Sequence, residues 1–277
     1  MHFTILTAAN EYTGLGHYTR MTALADELLR QEHAVTFVSD LRYKTGSELT
    51  WRYPYINPIL KRIKTDGTDW LIVDLPGETP SSVYKKKHWK TCTFDGIGHP
   101  PSNGNINISQ GMSGEYHAPE YLILRSDILD GLSIDRHRDH IFVFGGANDL
   151  LNLEPYWKKL CCTYDYISTP RNDTAEGVAE KMRSARFAVV AMGMVVWELV
   201  ALNIPAFVFS SSPRHLETAM AMADKGYIRA YPKVGLPKTD QQLYDFVDDP
   251  RFHPPRNVVD GLGVNRVVEL LISHGSQ

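Results

Sequence analysis

The chain has 277 residues, 43% of them hydrophobic and 22% charged, which is typical of a folded protein long enough for two domains. Its formal net charge of −3 gives no electrostatic reason to expect a polyanionic partner, and its three cysteines lack the C-x-x-C spacing of a zinc site. No apolar run approaches the roughly 20 residues of a membrane span and no signal-peptide pattern opens the chain, so we expect a cytoplasmic protein without a transmembrane segment.

The first apolar run and the segment after it predict a strand, a glycine turn and a helix. Phe3–Leu6 is the strand, and the helix is indicated by the apolar spacing of Met21, Leu24, Ala25, Leu28 and Leu29. Between them, Gly14 and Gly16 allow backbone to come close to a ligand, and the free amides of the helix start favour an anionic group.

His17 lies at the start of this helix, and Arg20 follows three residues later on the same face. The dinucleotide fingerprint G-x-G-x-x-G is not met, because Arg20 stands where the third glycine belongs. His17 is either a helix-start residue bonded to a nearby carbonyl or a catalytic base, since imidazole accepts a proton near neutral pH. We favour the base because of its position at the turn.

The rest of the first half reads as an α/β domain with parallel strands. Its further predicted strands are Ala34–Val38, Trp70–Asp74, Thr91–Asp95 and Glu120–Arg125. Asp74 and Asp95 end two of these strands, where open α/β sheets present ligand contacts, although such aspartates also cap loops. We predict that Asp74 and Asp95 bind substrate together with Gly14, Gly16 and Arg20.

Two segments of the first half mix basic and aromatic residues. Trp51–Tyr55 and Tyr84–Lys90 fit either an anionic polymer such as nucleic acid or a solvated helix face. The polar segment 131–139 predicts a linker between a first domain, residues 1–130, and a second, residues 140–257. His137 and His140 have no supporting ligands nearby in sequence, so no metal site is predicted.

The second half repeats the strand-and-helix pattern. The predicted strands are Ile141–Phe144, Tyr164–Ser168, Phe187–Ala191 and Ile204–Phe209, and the predicted helices are Leu150–Cys161, Thr174–Arg183, Thr218–Lys225 and Val259–Ser273. Gly145 and Gly146 follow the first of these strands and allow close approach of a phosphate, or serve only as a turn. The final helix, within residues 258–277, can pack back on the first domain.

Glu198 interrupts a nearly all-apolar helix that follows Met192, Gly193 and Met194. A carboxylate on a buried helix is costly unless it is paired or meets a ligand, so Glu198 either binds the substrate or pairs with a basic residue such as Arg214. Ser210–Glu217 predicts a polar loop entering the Thr218–Lys225 helix, whose start can receive an anion.

These motifs resemble the UDP-sugar hydrolase of the pseudaminic acid pathway and its spore-coat polysaccharide relatives, over nearly the whole chain. The matching segments are Gly14–Arg20 (G-x-G-H-x-x-R), Leu71–Asp74, Phe94–Asp95, Tyr121–Arg125, Phe144–Gly146, Trp197–Glu198 and Ala223–Tyr227. The resemblance implies the GT-B arrangement: two Rossmann-like doubly wound α/β domains, the first on the acceptor side and the second binding the nucleotide sugar, with an inter-domain cleft. It also implies His17 as the base that activates water and Glu198 as the residue that holds the nucleotide's ribose.

Three departures from that family lie on the donor side. Met192-Gly193-Met194 replaces a small hydroxyl run, Arg214-His215 replaces Asn-Gln, and the turn after Gly146 is one residue longer. The donor sugar, and even the nucleotide, is therefore left open, and Arg214 adds a cation that can hold the diphosphate. We assign these five residues, with Gly145, Gly146 and Glu198, to nucleotide-sugar binding.

A sugar nucleotide reacts when a base deprotonates the incoming oxygen and positive groups stabilise the departing diphosphate. We therefore predict a metal-independent glycosyltransferase that uses no cofactor beyond a UDP-sugar or similar donor, with His17 as base. The acceptor is open between a polysaccharide, a small glycoside and a modified nucleic acid. The alternatives are a nucleotide-sugar hydrolase, in which water is the acceptor, and a non-catalytic sugar-nucleotide-binding protein.

Overall fold

A computed structural model describes residues 1–9, 16–41, 67–75, 89–95, 104–130, 140–146, 151–153, 166–168, 175–247, 252 and 255–275. The chain divides into two compact units, Met1–Arg125 with Gly261–Gln277, and Ser126–Asp260. The predicted segments Trp51–Tyr55, 131–139, most of Tyr84–Lys90 and most of Leu150–Cys161 lie outside the described residues, as does Gly14.

The first unit contains a parallel sheet of six strands in the order β2-β1-β3-β4-β5-β6. Its elements up to the second unit are β1 (His2–Ala9), α1 (Gly16–Arg30), β2 (Ala34–Leu41), β3 (Trp70–Asp74), β4 (Lys90–Asp95), β5 (Ile106–Ser109) and β6 (Tyr116–His117). The predicted strands and the helix that correspond to β1, α1, β2, β3 and β4 are confirmed.

Helix α1 covers one face of this sheet. Because side chains alternate along a strand, Phe3 and Ile5 of β1 point to the same face, as do Trp70 and Ile72 of β3. These residues form one buried cluster with the apolar face of α1, which contributes Tyr18, Met21, Leu24, Ala25 and Leu28. Packing against the sheet therefore fixes where the N-terminal end of α1 lies relative to the strand ends.

The predicted strand Glu120–Arg125 is wrong. Leu122, Ile123 and Leu124 are buried, but they pair with no strand, and β5 and β6 complete the sheet instead. The buried side chain of Gln110 satisfies this segment's backbone: its amide nitrogen donates to the Tyr121 carbonyl and its amide oxygen accepts from the Ile123 N–H, both at 3.3 Å. An apolar run can thus be buried with a side-chain amide in place of a neighbouring strand.

The second unit contains a parallel sheet of five strands in the order β11-β10-β9-β7-β8. Its elements are α2 (Ser126–Leu129), β7 (His140–Phe144), β8 (Tyr166–Ser168), α3 (Ala175–Arg183), β9 (Ala185–Ala191), α4 (Met194–Ala201), β10 (Ala206–Ser210), α5 (Pro213–Asp224), β11 (Arg229–Val234) and α6 (Asp240–Val247). One face packs an aromatic cluster in which Phe207 and Phe209 of β10 contact Phe246 of α6.

Helix α5 begins at Pro213, five residues before the predicted start at Thr218, so the predicted loop Ser210–Glu217 is mostly helical. Ser212 is the N-cap, and its hydroxyl oxygen accepts from the His215 N–H at 3.2 Å. Pro213 occupies the first helical position, where no N–H is needed. Arg214 and His215 therefore lie on the first turn of a helix.

The last helix, α7 (Gly263–Gly275), belongs to the first unit and contacts α1. Val267, Val268 and Leu271 of α7 are fully buried in the same cluster as α1. Gly263 lies directly against the backbone of Leu122, where a Cβ would overlap the carbonyl. The absence of a side chain thus lets the start of α7 approach the segment that replaces the predicted strand.

Candidate active site

The connections of the first sheet reverse direction between β1 and β3, because β2 lies on one side of this pair and β4 on the other. In open α/β sheets, ligands bind outside the carboxyl ends of the strands at such a switch point. The N-terminal end of α1 follows the carboxyl end of β1, and Asp74 is the last residue of β3. Backbone topology therefore brings His17, Arg20 and Asp74 to the same edge of the sheet.

The three side chains form one hydrogen-bonded group. His17 Nδ1 lies 2.7 Å from Asp74 Oδ1, and Arg20 Nε donates to Asp74 Oδ2 at 2.6 Å. A terminal nitrogen of Arg20 also donates to Asp74 Oδ1, so the guanidinium binds the carboxylate through two parallel hydrogen bonds. The same nitrogen of Arg20 lies 3.0 Å from His17 Nδ1.

Burial makes this group unusual, since the side chains of Asp74 and Arg20 are 0% and 3% exposed while that of His17 is 13% exposed. Burial by itself raises the pKa of the Asp74 carboxyl. The charges of Arg20 and His17, and the hydrogen bonds from both, outweigh this effect and hold the pKa below its ordinary value. Asp74 is therefore an ionised carboxylate at neutral pH.

An ionised Asp74 fixes the position of the imidazole proton. A carboxylate only accepts hydrogen bonds, so we assign the Nδ1 hydrogen to the shorter contact, with Asp74 at 2.7 Å; the Arg20 nitrogen 3.0 Å from Nδ1, itself a donor, then makes no hydrogen bond to the ring. In the neutral ring, Nε2 then has the lone pair, and Asp74 stabilises the imidazolium that forms when Nε2 takes up a proton. A carboxylate that orients a histidine in this way is the arrangement of a general base.

The lowered pKa of Asp74 predicts how stability depends on pH. In the unfolded chain the carboxyl takes up a proton near pH ~3.9, whereas in the folded protein it does so at lower pH. The unfolded state binds more protons in between, so the stability that Asp74 contributes is intact above this range and is lost as the pH falls through the folded-state pKa. We expect the difference in unfolding free energy between wild type and Asp74→Asn to shrink from pH 7 toward pH 3. A difference that stays constant in urea titrations over that range would contradict this assignment.

Two other predicted substrate residues, Gly16 and Asp95, lie at the same edge of the first sheet, and Gly14 is outside the described residues. Gly16 is the first residue of α1, directly before His17. Asp95 ends β4, the strand beside β3, and is 7% exposed. Cys92 on β4 is fully buried, and burial together with Asp95 and Asp74 raises the pKa of its thiol, so it is an unreactive core thiol.

The second sheet has its own switch point, between β7 and β9. Gly145 and Gly146 follow β7, while Met192 and Gly193 connect β9 to α4, so the structure brings these four predicted residues to one edge of the sheet. Gly146 has φ +86°, a left-handed conformation that favours glycine. No described atom lies within 4 Å of a Cβ built on Gly193, so the backbone is accessible at this point.

Helix α4 begins at Met194 beside this switch point. Within the described residues no side chain caps its start, and its first turn contains no acidic residue. Such a helix start offers backbone N–H groups and the positive end of the helix dipole to an anion. Glu198 lies one turn further, partly buried, among the buried residues Val195, Val196, Trp197, Leu199, Val200 and Ala201.

Helix α5 begins one strand farther from the switch point, after β10. Arg214 is exposed on its first turn, and His215 is partly buried, with Nδ1 3.1 Å from the Ser211 hydroxyl. Burial lowers the pKa of His215, which therefore stays neutral at neutral pH. The start of α5 thus combines one fixed cation with one neutral hydrogen-bonding ring.

Three buried hydroxyls near these strand ends were not predicted from the sequence. Their side chains are at most 1% exposed, and they belong to Thr7, Ser39 and Ser210. Thr7 of β1 lies beside Asp74 of β3 on one side and Ser39 of β2 on the other, and Ser210 is the last residue of β10. Their hydroxyls have no hydrogen-bond partner among the described residues. Only Ser210 had a signal in the sequence, as a polar residue that closes an otherwise apolar strand.

Within the described residues, no three His, Cys, Asp or Glu side chains come together as a metal ligand set. None of the helices in the same ranges combines the length and apolar character needed to cross a membrane.

The two parallel sheets, each with helices that begin at its switch point, have the GT-B fold that glycosyltransferases and UDP-sugar epimerases share. No family model matches the chain. It is similar to the spore coat polysaccharide biosynthesis protein SpsG of Bacillus subtilis, with 23% identity covering 98% of both chains.

Several solved structures match 99% of the chain, and three of them illustrate the range. MurG of Acinetobacter baumannii has a TM-score of 0.60 at 12% identity, with all of its chain covered. The UDP-GlcNAc 2-epimerase of Methanocaldococcus jannaschii, in complex with UDP-GlcNAc and UDP, gives 0.57 at 9% identity, again fully covered. The Streptomyces glycosyltransferase SsfS6, complexed with thymidine diphosphate, gives 0.59 at 9% identity over 96% of its chain. At these identities the matches establish the fold.

Proposed function

We propose that this protein is a glycosyltransferase that moves a sugar from a nucleoside diphosphate to an acceptor hydroxyl, with His17 as general base. UDP is the nucleotide that we propose for the donor. The observation that carries the proposal is the buried Arg20–Asp74 pair hydrogen-bonded to His17 Nδ1, which leaves Nε2 as the basic atom of the neutral ring. The complexes of similar folds with UDP-GlcNAc, UDP and thymidine diphosphate support a nucleotide-sugar donor.

In this proposal the reaction is a displacement at the anomeric carbon. His17 Nε2 takes the proton of the acceptor hydroxyl, whose oxygen bonds to the anomeric carbon. The bond from that carbon to the diphosphate oxygen breaks, and the diphosphate leaves with the electron pair. Asp74 stabilises the imidazolium formed in this step, and we assign Gly14, Gly16 and Asp95 to binding the acceptor.

We assign the donor to the second unit. The backbone at Gly145, Gly146 and Gly193 and the uncapped start of α4 at Met194 are suited to a diphosphate. Glu198 is suited to the ribose hydroxyls because it is the one acid on an otherwise buried apolar helix. Met192 precedes this helix start, and Arg214 and His215 complete the donor site from α5. The proposal needs no cofactor besides the sugar nucleotide.

The closest second candidate is a nucleotide-sugar hydrolase, because the same His17–Asp74 geometry can deprotonate water. The relative's role in polysaccharide biosynthesis favours a carbohydrate acceptor for this chain. Such an acceptor is a polysaccharide or, most simply, a small glycoside. A modified nucleic acid is the third class of acceptor to test.

The test uses the full chain with UDP-sugars, with and without acceptors, in the presence and absence of EDTA. A transferase releases UDP in proportion to acceptor concentration, and the product contains the sugar. Rapid stoichiometric release of free sugar without acceptor would overturn transfer in favour of hydrolysis. Binding of UDP in a thermal-shift assay without any turnover would indicate a non-catalytic binding protein, and absence of binding by any nucleotide would overturn the proposal.

A further inference from the structure

Three consecutive serines connect β10 to α5, and they differ in what they bind. The Ser212 hydroxyl caps the helix through the His215 N–H, and the Ser211 hydroxyl contacts the His215 ring. The Ser210 hydroxyl is fully buried and has no hydrogen-bond partner among the described residues. The hydroxyls of Ser211 and Ser212 therefore contact the first turn of α5, whereas the Ser210 hydroxyl makes no hydrogen bond to a described residue.

Some buried hydroxyls of the described residues are paired, whereas those of Thr7 and Ser39 are unpaired like that of Ser210. Thr4 Oγ1 lies 2.8 Å from Thr68 Oγ1, and Thr93 Oγ1 donates to Asn107 Oδ1 at 2.5 Å. A buried polar group without a partner costs folding free energy, so an unpaired hydroxyl at a strand end calls for an additional partner. A bound ligand is such a partner, and the carboxyl end of the strand is where ligands bind.

The alternation of side chains shows which way Ser210 points. Phe207 and Phe209 face the cluster around Phe246 of α6, so Ser210 lies on the opposite face of β10. Helices α4 and α5 both pack against β10 and follow the carboxyl ends of β9 and β10. Ser210 therefore points toward the helices, at the edge where α5 begins.

The position along the sheet decides which part of a donor reaches Ser210. The switch point suited to the diphosphate lies between β7 and β9, and β10 is one strand farther, about 4.8 Å away. With the diphosphate and the ribose (Glu198) assigned, the nucleobase and the glycosyl group remain, and we assign the glycosyl group to Ser210 and the start of α5; a nucleobase there would make UDP binding itself sensitive to both residues. This step rests on the function proposed above.

The start of α5 differs from that of α4 in how it would bind an anion. Two of its first three residues offer no free amide, because Ser212 accepts from the His215 N–H and Pro213 has no N–H. What it offers is the guanidinium of Arg214, with no acidic residue in the first turn. Arg forms paired hydrogen bonds with a planar carboxylate.

We propose that Ser210 and Arg214 select a donor whose glycosyl group carries a carboxylate, that is, a nucleoside diphosphate linked to a uronic acid. The carboxylate binds the Arg214 guanidinium, and the Ser210 hydroxyl donates to an oxygen of the same sugar. The neutral His215 ring adds a hydrogen-bonding group without adding charge.

The experiment measures dissociation constants for UDP, UDP-glucose and UDP-glucuronate by calorimetry. The two sugars differ only in a hydroxymethyl group versus a carboxylate, and the galactose and galacturonate pair is measured in the same way. We expect the wild type to bind the uronate at least about tenfold more tightly than the neutral sugar, the size of one charge-assisted hydrogen bond. Arg214→Gln should bring this ratio near one and leave UDP binding unchanged.

The matched control is Lys225→Gln, which removes the same charge at the other end of α5, about 16 Å from Arg214 along the helix axis. It should keep the wild-type ratio. Ser210→Ala should weaken both UDP-sugars several-fold, leave UDP unchanged, and raise the Tm of the free protein because an unpaired buried hydroxyl is removed.

Equal affinity of the wild type for both members of each pair overturns the inference while leaving the proposed function intact. If Arg214→Gln weakens UDP binding as much as it weakens binding of the uronate donor, Arg214 binds the diphosphate. That result also overturns the inference. Unchanged sugar affinities in Ser210→Ala remove Ser210 from the site. Absence of binding by UDP and all four UDP-sugars instead overturns the proposed function itself.

Discussion

Replacing His17 by Ala is expected to lower kcat by about 10²- to 10⁴-fold, the usual contribution of a general base. The affinity for UDP should stay the same, because the donor is assigned to residues of the second unit. The measurement is steady-state release of UDP with saturating acceptor, combined with calorimetric titration of UDP into the same preparations.

A second variant separates catalysis from structure. His17→Asn keeps a side-chain N–H that can donate to Asp74, so the buried carboxylate retains this partner, but it has no basic nitrogen. We expect it to be as inactive as His17→Ala and to melt closer to the wild type. Undiminished turnover in both variants would remove His17 from the mechanism.

Replacing Asp74 by Asn is expected to lower the free energy of unfolding by about 3–5 kcal/mol, the cost of leaving one partner of a buried ion pair uncompensated. The guanidinium of Arg20, 3% exposed, would lose the carboxylate that it binds through two hydrogen bonds. Urea titration at neutral pH measures the loss. Turnover should fall as well, because an Asn at this position can hold the wrong tautomer of His17.

An ion pair on the same helix provides the control. Glu27 and Arg30 are three residues apart on α1, with side chains 11% and 66% exposed, and Glu27 also accepts from Gln31 and Asn265. Glu27→Gln removes the same charge from a pair whose cation lies in water, and it should cost less because solvent screens such a pair. If Asp74→Asn and Glu27→Gln lower the free energy of unfolding equally, burial is not what makes the Arg20–Asp74 pair important for stability.

The sequence predicts local structure well wherever one periodic pattern decides it. Helix α1, the apolar strand β3 and the buried helix around Trp197 are confirmed within a few residues, because each buries a face whose spacing is visible in the chain. The GT-B fold expected from the resemblance is likewise confirmed by the solved structures.

The errors arise where side chains replace backbone partners. Gln110 satisfies the backbone of Tyr121 and Ile123, so an apolar run that reads as a strand is not one. Ser212 and Pro213 start α5 earlier than its apolar spacing suggests. Strands β5 and β6 have only four and two residues, too short for a periodic signal.

The chemistry of the site was predictable only residue by residue. His17 and Asp74 were identified separately, but they are 57 positions apart, and no spacing rule connects them. Their contact follows from the order of strands in the sheet, which places β3 directly beside β1. The assignment of site residues to substrate stays a prediction that the variants above are designed to test.

The first unit is completed by a segment that lies beyond the second unit in the chain. A ribosome must therefore synthesise the whole of Ser126–Asp260 before α7 emerges and can cover the core beside α1. Until then the surface that Val267, Val268 and Leu271 bury is open to water. The half of the protein that is made first thus reaches its finished form last, and a fragment ending at Arg125 lacks part of its own interior.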